Sequence, residues 1–246
     1  MFLIGIFTVL IMVLWFVPIF RKMPKDYRYD KKFLIKTVIY GILIFIVAVI
    51  IQNIFAALLG KGFKLPETSL LFSLLMAIIG YGLVEELMKF LVGSFSLKKS
   101  KFHSKFDYML IFALSALGFT LIETFLYSSA FGLVGIIRGL FPFHIMWQVF
   151  MGAHYYEYKV AKRNNDSKAM KKEWLLAFAV PILMHACCDS SVVFINRAIH
   201  LLSTANLAVV NMADILSLII PLIYMVILII FTVVTAYKFY KYTKSL

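Results

Sequence analysis

Seven stretches of roughly 20 apolar residues dominate the chain, each long enough to cross about 30 Å of hydrocarbon as a helix. They run Phe2–Phe20, Phe33–Leu59, Thr68–Leu97, Asp107–Ala130, Val134–Tyr158, Trp174–Ile195 and Asp214–Tyr237. Short polar segments separate them, with no repeat, long loop or low-complexity tract. The pattern predicts an all-α polytopic membrane protein, a single transmembrane domain over residues 1–246. Its chemistry is expected in a core at about 68–196, with scaffold helices at 2–59 and 214–237. The first stretch lacks a basic leader and a small-x-small cleavage site, so it reads as a retained helix and not as a signal peptide.

Composition agrees. Hydrophobic residues make up 63% of the 246 residues and charged residues 15%, against about 25% in a soluble domain. The mean hydropathy is +0.93, which leaves no room for a soluble domain of any size. A net charge of +13 would in a soluble chain raise the question of nucleic acid. Here the cations collect between apolar stretches without aromatic interleaving, so their partners are lipid headgroups and nucleic acid is excluded. Segments 21–36, 98–105, 159–172 and 238–244 hold 20 of the 25 Lys and Arg residues, while the opposite loops hold Lys61, Lys64 and Arg197. The positive-inside rule then puts the N-terminus outside and the C-terminus in the cytoplasm of a bacterial cell membrane. The two cysteines, Cys187 and Cys188, are adjacent within an apolar run and form no disulfide framework or CxxC site.

What changes the picture is ionisable chemistry inside the spans. Glu85, Glu86, Lys89, Glu123, His144, His185 and Asp189 lie in spans three to six, with Arg138 near the outer end of the fifth. Each charge at the bilayer centre costs about 2.5–3.5 kcal/mol on the insertion scale, so seven such groups point to function. Counted from the cytoplasmic ends at 1.5 Å per residue, Glu85 lies about 20 Å deep, Glu123 about 24 Å, His144 about 22 Å and His185 about 17 Å. One shared depth suggests one intramembrane site. Glu85/Lys89, Glu123/Tyr127, His144/Gln148 and His185/Asp189 are i,i+4 pairs, each on one helix face. Lys89 falls between Glu85 and Glu86 around its helix and can hold both while neutralising only one. Four acids against one Lys leave −3 with neutral histidines, so protons must be shared or a histidine charged. Asn53 and Gln52 in span two read as helix–helix hydrogen bonds.

No HExxH, GxGD or GxSxG motif is present. That leaves water activated by Glu and His, with donors or cations for the oxyanion. The segment Gly82-Leu83-Val84-Glu85-Glu86-Leu87-Met88-Lys89-Phe90 resembles the EExxK motif of the PrsW family of intramembrane proteases. Phe106-Asp107 with Gly118-Phe119, Glu123 and Tyr127 is similar to that family's second block. Arg138 with His144, Trp147 and Gly152 is similar to the third, and His185-Ala186-Cys187-Cys188-Asp189 to the HxxxN/D block. The resemblance covers about residues 80–190 in order, and extends distantly to the CAAX-prenyl-protease and bacteriocin-processing membrane proteins. It implies an endopeptidase that cuts a single-pass membrane protein, such as an anti-sigma factor at the first step of a stress cascade. It also implies roles. Glu85 or Glu86, with His144, would activate water. His185 and Asp189 would form the oxyanion pocket, although Asp stands where the wider family often has Asn. Lys89, Glu123 and Arg138 would support them electrostatically. A metal-free glutamate mechanism is expected, with zinc on His144, His185 and a Glu left open.

Two readings compete with a protease. A proton-coupled transporter also places Glu, His and Lys at mid-depth, but it tends to show paired repeats and paired Gly/Pro breaks. A catalytically idle member would bind substrate as a scaffold, and only activity separates it from the enzyme.

Overall fold

The computed structural model describes residues 2–22, 30–67, 69–101, 103–131, 140–204 and 212–244, all helical apart from short turns. The helices are α1 (Phe2–Leu14), α2 (Val17–Lys22), α3 (Lys31–Ala57), α4 (Leu70–Leu75), α5 (Val84–Lys99), α6 (Lys105–Phe131), α7 (Phe143–Arg163), α8 (Ser167–Thr204) and α9 (Met212–Lys244). Wider π-helical turns extend α3 over Leu58–Gly62 and join α4 to α5 over Met76–Leu83. Among the described residues, five helical stretches are long and apolar enough to cross a membrane: Lys31–Gly62, Leu70–Lys99, Lys105–Ser129, Ser167–Ser191 and Ile219–Thr243. The shorter apolar helix Phe2–Leu14 and the 21-residue α7 are further candidates. The protein is therefore an all-α, multi-pass membrane protein.

Helix ends follow local chemistry. Asp30 caps α3 by accepting from the Lys32 amide, and Ser69 caps α4 by accepting from the Phe72 amide, each satisfying an orphan donor of a first turn. The expected first span is two pieces, broken at Trp15–Phe16. Pro18 has no amide hydrogen and is best accommodated in a helix's first turn, and it sits at the second position of α2. The fifth span differs more. It was expected from Val134, but residues 132–139 lie outside the described residues, and α7 starts at Phe143, directly after Pro142. A proline there ends one segment and starts the next, and His144 therefore stands at the beginning of a helix instead of its middle. α8 is longer than the expected sixth span and contains Pro181.

α6 is the hub, packed against α1, α3, α5 and α7. Most of α6 is buried, whereas most of α3 is not, which marks α6 as core and α3 as largely lipid-facing. Lipid tails are as apolar as the helices, so association rests on close van der Waals fit at small residues. Gly41 and Gly118 meet in this way: a Cβ on Gly118 would lie 2.0 Å from the Val38 carbonyl oxygen, and one on Gly41 2.2 Å from that of Ser115. Gly118→Ala should separate α3 from α6 and cost about 1–3 kcal/mol, the usual range for overpacking. Gly60→Ala, whose Cβ would meet nothing closer than 3.9 Å, should be tolerated. Melting of the detergent-solubilised variants tests the pair, and equal melting temperatures would count against this crossing.

Candidate active site

The site begins with how α5 is presented. The π-helical stretch before it runs against α8 at Gly82, where a Cβ would lie 3.0 Å from the Ile182 carbonyl oxygen and 3.3 Å from the Ala186 Cβ. This approach, one turn from His185, lets the acids in the first turn of α5 reach α8. Glu85, Glu86 and Lys89 project inward and are 5%, 0% and 0% exposed.

Lys89 is the centre of the network. Its Nζ donates to Glu85 Oε2 at 3.2 Å and Glu86 Oε1 at 2.9 Å, and lies 3.2 Å from His144 Nδ1. It also sits 4.4 Å from the Phe119 ring centroid, a cation–π contact that offsets part of its lost hydration. The Ser115 hydroxyl on α6 donates to the Lys89 carbonyl at 2.7 Å, which ties the α5 backbone to the hub. An ammonium donates only, so His144 Nδ1 accepts here, and Nε2 turns toward Glu123 Oε2 at 3.8 Å.

Glu86 is fully engaged. It accepts from Lys89, from Gln148 Nε2 at 2.8 Å and from His185 Nδ1 at 2.8 Å. An ionised carboxylate only accepts, so His185 carries hydrogen on Nδ1 and presents Nε2 elsewhere. Nε2 lies 3.7 Å from Glu85 Oε2 and 3.4 Å from Asp189 Oδ2. The two imidazoles meet edge to face, 4.5 Å between centroids, with Trp147 against both at 4.6 and 5.1 Å. Trp147 is fully buried, and its indole Nε1 has no hydrogen-bond partner among the described residues.

The site residues read from the sequence are thus together: Glu85, Glu86 and Lys89 from α5, Glu123 from α6, His144 from α7, and His185 and Asp189 from α8. Arg138 lies outside the described residues. A participant from α3 was not expected, because that helix carries no acid or histidine in its centre. Yet Gln52 Nε2 donates to Glu85 Oε1 at 3.0 Å, both groups being buried. The signal for it was a polar side chain in a lipid-exposed helix. Asn53 behaves differently from expectation: it is exposed and bonds the Val49 carbonyl of its own helix at 2.8 Å.

Glu85, His144 and His185 each offer a ligand atom, all within 4.8 Å of one another. Two imidazoles and a carboxylate are a donor set that suits catalytic zinc. A carboxylate on the far nitrogen of a ligand histidine, as Glu86 on His185, is the usual outer-shell support. The acids at the site outnumber Lys89 by three, an excess that a divalent cation offsets. The residues fit a metal, which matches the opening left for zinc.

Comparison with known proteins agrees with this geometry. The family model described as PrsW family intramembrane metalloprotease matches residues 30–235. A relative named Protease PrsW from Halalkalibacterium halodurans is 29% identical over 162 residues, covering 64% of this chain and 69% of its own length. Another of that name, from Clostridioides difficile, is 30% identical over 198 residues, 77% of each chain. No solved structure matches the chain.

Lys89→Met strands two buried carboxylates and should cost about 3–5 kcal/mol, the range for removing one partner of a buried ion pair. Adding Glu86→Gln should restore part of that loss. Melting of the single and double variants decides, and a double variant no more stable than Lys89→Met would show that the ammonium does not hold Glu86.

Proposed function

The chain belongs to the PrsW family of intramembrane metalloproteases, and on that premise we propose that it cuts a membrane-anchored protein at the Glu85, His144 and His185 cluster. One observation carries the reading: three buried ligand atoms from three helices converge within 4.8 Å. Proteolysis follows from the family.

Glu85, His144 and His185 would hold the metal, His144 giving up its contact with Lys89 so that a ring nitrogen is free to ligate, and the metal when bound would supply a Lewis acid and a water activated at neutral pH. The remaining residues position and move protons. Gln52 and Lys89 fix the two oxygens of Glu85, and Glu86 fixes His185 through Nδ1. Glu123, 3.8 Å from His144 Nε2, is the carboxylate placed to hold a proton and pass it to the leaving amine. The Asp189 side chain, 20% exposed, is on the side from which water and substrate approach. The indole N–H of Trp147 is a donor for a substrate carbonyl.

In this reading seven spans cross the membrane with the C-terminus in the cytoplasm, supported by the 20 cations gathered on one side. A reporter fused after Leu246 should therefore sit inside the cell, and an external signal would end that topology. The motif resemblance further supports a single-pass substrate of the anti-sigma-factor type.

Glu123→Gln should lower cleavage by about 10²–10⁴-fold, the range for losing an acid–base group, and Glu85→Gln and His144→Ala should abolish it by losing the metal. The measurement is which single-pass membrane proteins keep their full length in cells carrying each variant. Unchanged cleavage in Glu85→Gln would remove Glu85 from the reaction. Bound zinc separates the roles: Glu85→Gln and His144→Ala should lose it, and Glu123→Gln should keep it. Full zinc occupancy in Glu85→Gln would make Glu85 the base instead of a ligand. A strong chelator should stop cleavage and zinc should restore it; an indifferent enzyme would favour the metal-free glutamate mechanism.

A further inference from the structure

Away from the catalytic cluster, α6, α7 and α9 border a half-open cavity of about 680 Å³ that none of the cluster residues lines. Its lining is graded along the helices. Lys105 begins α6, and Lys238 and Lys241 lie in the last turns of α9, at the end of the bundle where the sequence concentrates its cations. Met109, Val149, Phe150 and Phe231 line the deeper part. Met109 is about 6 Å along its helix from Lys105, and Phe231 about 10 Å from Lys238, at 1.5 Å per residue. The headgroup layer of one leaflet is roughly 5–7 Å thick. Lysines at headgroup level therefore stand over an apolar wall at acyl-chain level.

Charge points the same way. No acid lines the cavity, and Glu157 and Glu173, which lie near this end, are already engaged. Glu157 is held by Lys105 at 2.6 Å, and Glu173 by His154 Nδ1 at 2.6 Å. Lys238 and Lys241 are exposed and pair with no carboxylate among the described residues. Two uncompensated ammonium groups thus face a space bounded below by hydrocarbon.

We propose that this cavity binds one anionic phospholipid, its phosphate between Lys238 and Lys241 and its upper acyl chain against Met109, Val149, Phe150 and Phe231. Basic pockets between transmembrane helices are suited to anionic headgroups. The volume is that of a ligand pocket, much more than a free phosphate fills, and a phosphate alone would leave the apolar wall uncovered. A zwitterionic lipid brings its own ammonium to compete with the lysines. The inference is independent of the protease chemistry, although α7 forms one wall of the cavity and carries His144.

The test is native mass spectrometry of the full-length protein released from nanodiscs of equal phosphatidylglycerol and phosphatidylethanolamine. The wild type should retain one phosphatidylglycerol in preference to phosphatidylethanolamine by about thirtyfold, as two lysines near a membrane surface predict. Lys238→Gln with Lys241→Gln should abolish that preference, and Lys98→Gln with Lys99→Gln, at the end of α5, should leave it intact. Val234→Trp, which fills the cavity and keeps both lysines, should also release the lipid. Equal loss in the Lys98/Lys99 control would mean general surface attraction and overturn the site. Retention in Val234→Trp would show that the acyl wall is unused. Displacement by millimolar inorganic phosphate would identify a free-phosphate site. Either result refutes the lipid.

Discussion

A buried ammonium makes the rest of this structure possible. Lys89, fully shielded from solvent, lies within 3.2 Å of Glu85, Glu86 and His144. Without it two carboxylates would share a low-dielectric site within reach of each other, which is not tolerated. With it, the excess negative charge is lowered but not removed. A site that keeps some excess is suited to a divalent cation, whereas a fully neutralised one would be only a structural clip. The same ammonium sets the histidine geometry, since His144 must accept from it and so turns its other nitrogen toward Glu123.

Holding such a cluster in register requires helices that cannot slide. In a bilayer the hydrophobic effect does not drive helices together, so precision comes from backbone approach at small residues. Gly41 on Gly118 fixes α3 to α6, and Gly152, whose Cβ would lie 2.6 Å from the Tyr108 carbonyl oxygen, fixes α7 to α6. These contacts place Gln52 beside Glu85 and His144 beside Lys89. α3, mostly facing lipid, thereby contributes one polar atom to the site.

Two irregular helix segments lie next to the buried cluster. The π-helical turns end at Leu83, two residues before Glu85, and α7 begins one residue before His144. Wide turns of this kind are frequent at functional sites, because they leave the i→i−4 ladder and re-aim the side chains that follow. Non-helical backbone at membrane depth is tolerated when it is enclosed by protein, and here the irregular segments adjoin the buried site.

The sequence alone determined that this is a multi-pass helical membrane protein, because runs of apolar residues of bilayer length have no other stable use. It also singled out the ionisable residues that the fold gathers into one buried cluster, since charge inside hydrocarbon is too costly to keep without purpose, and the spacing of Glu85, Glu86 and Lys89 already placed one cation between two acids. Helix interruptions were less legible. Pro142 and Pro18 signalled the starts of α7 and α2, but hydropathy continued through both and hid them within longer apolar spans. Tertiary structure alone decided which partner each group takes: that Glu86 is saturated by Lys89, Gln148 and His185, and that Gln52 reaches Glu85 from a helix that looked inert. Those assignments depend on helix rotation and separation at a scale of one ångström. Close contacts between residues far apart in the chain fix both, and periodicity within a single helix does not encode them.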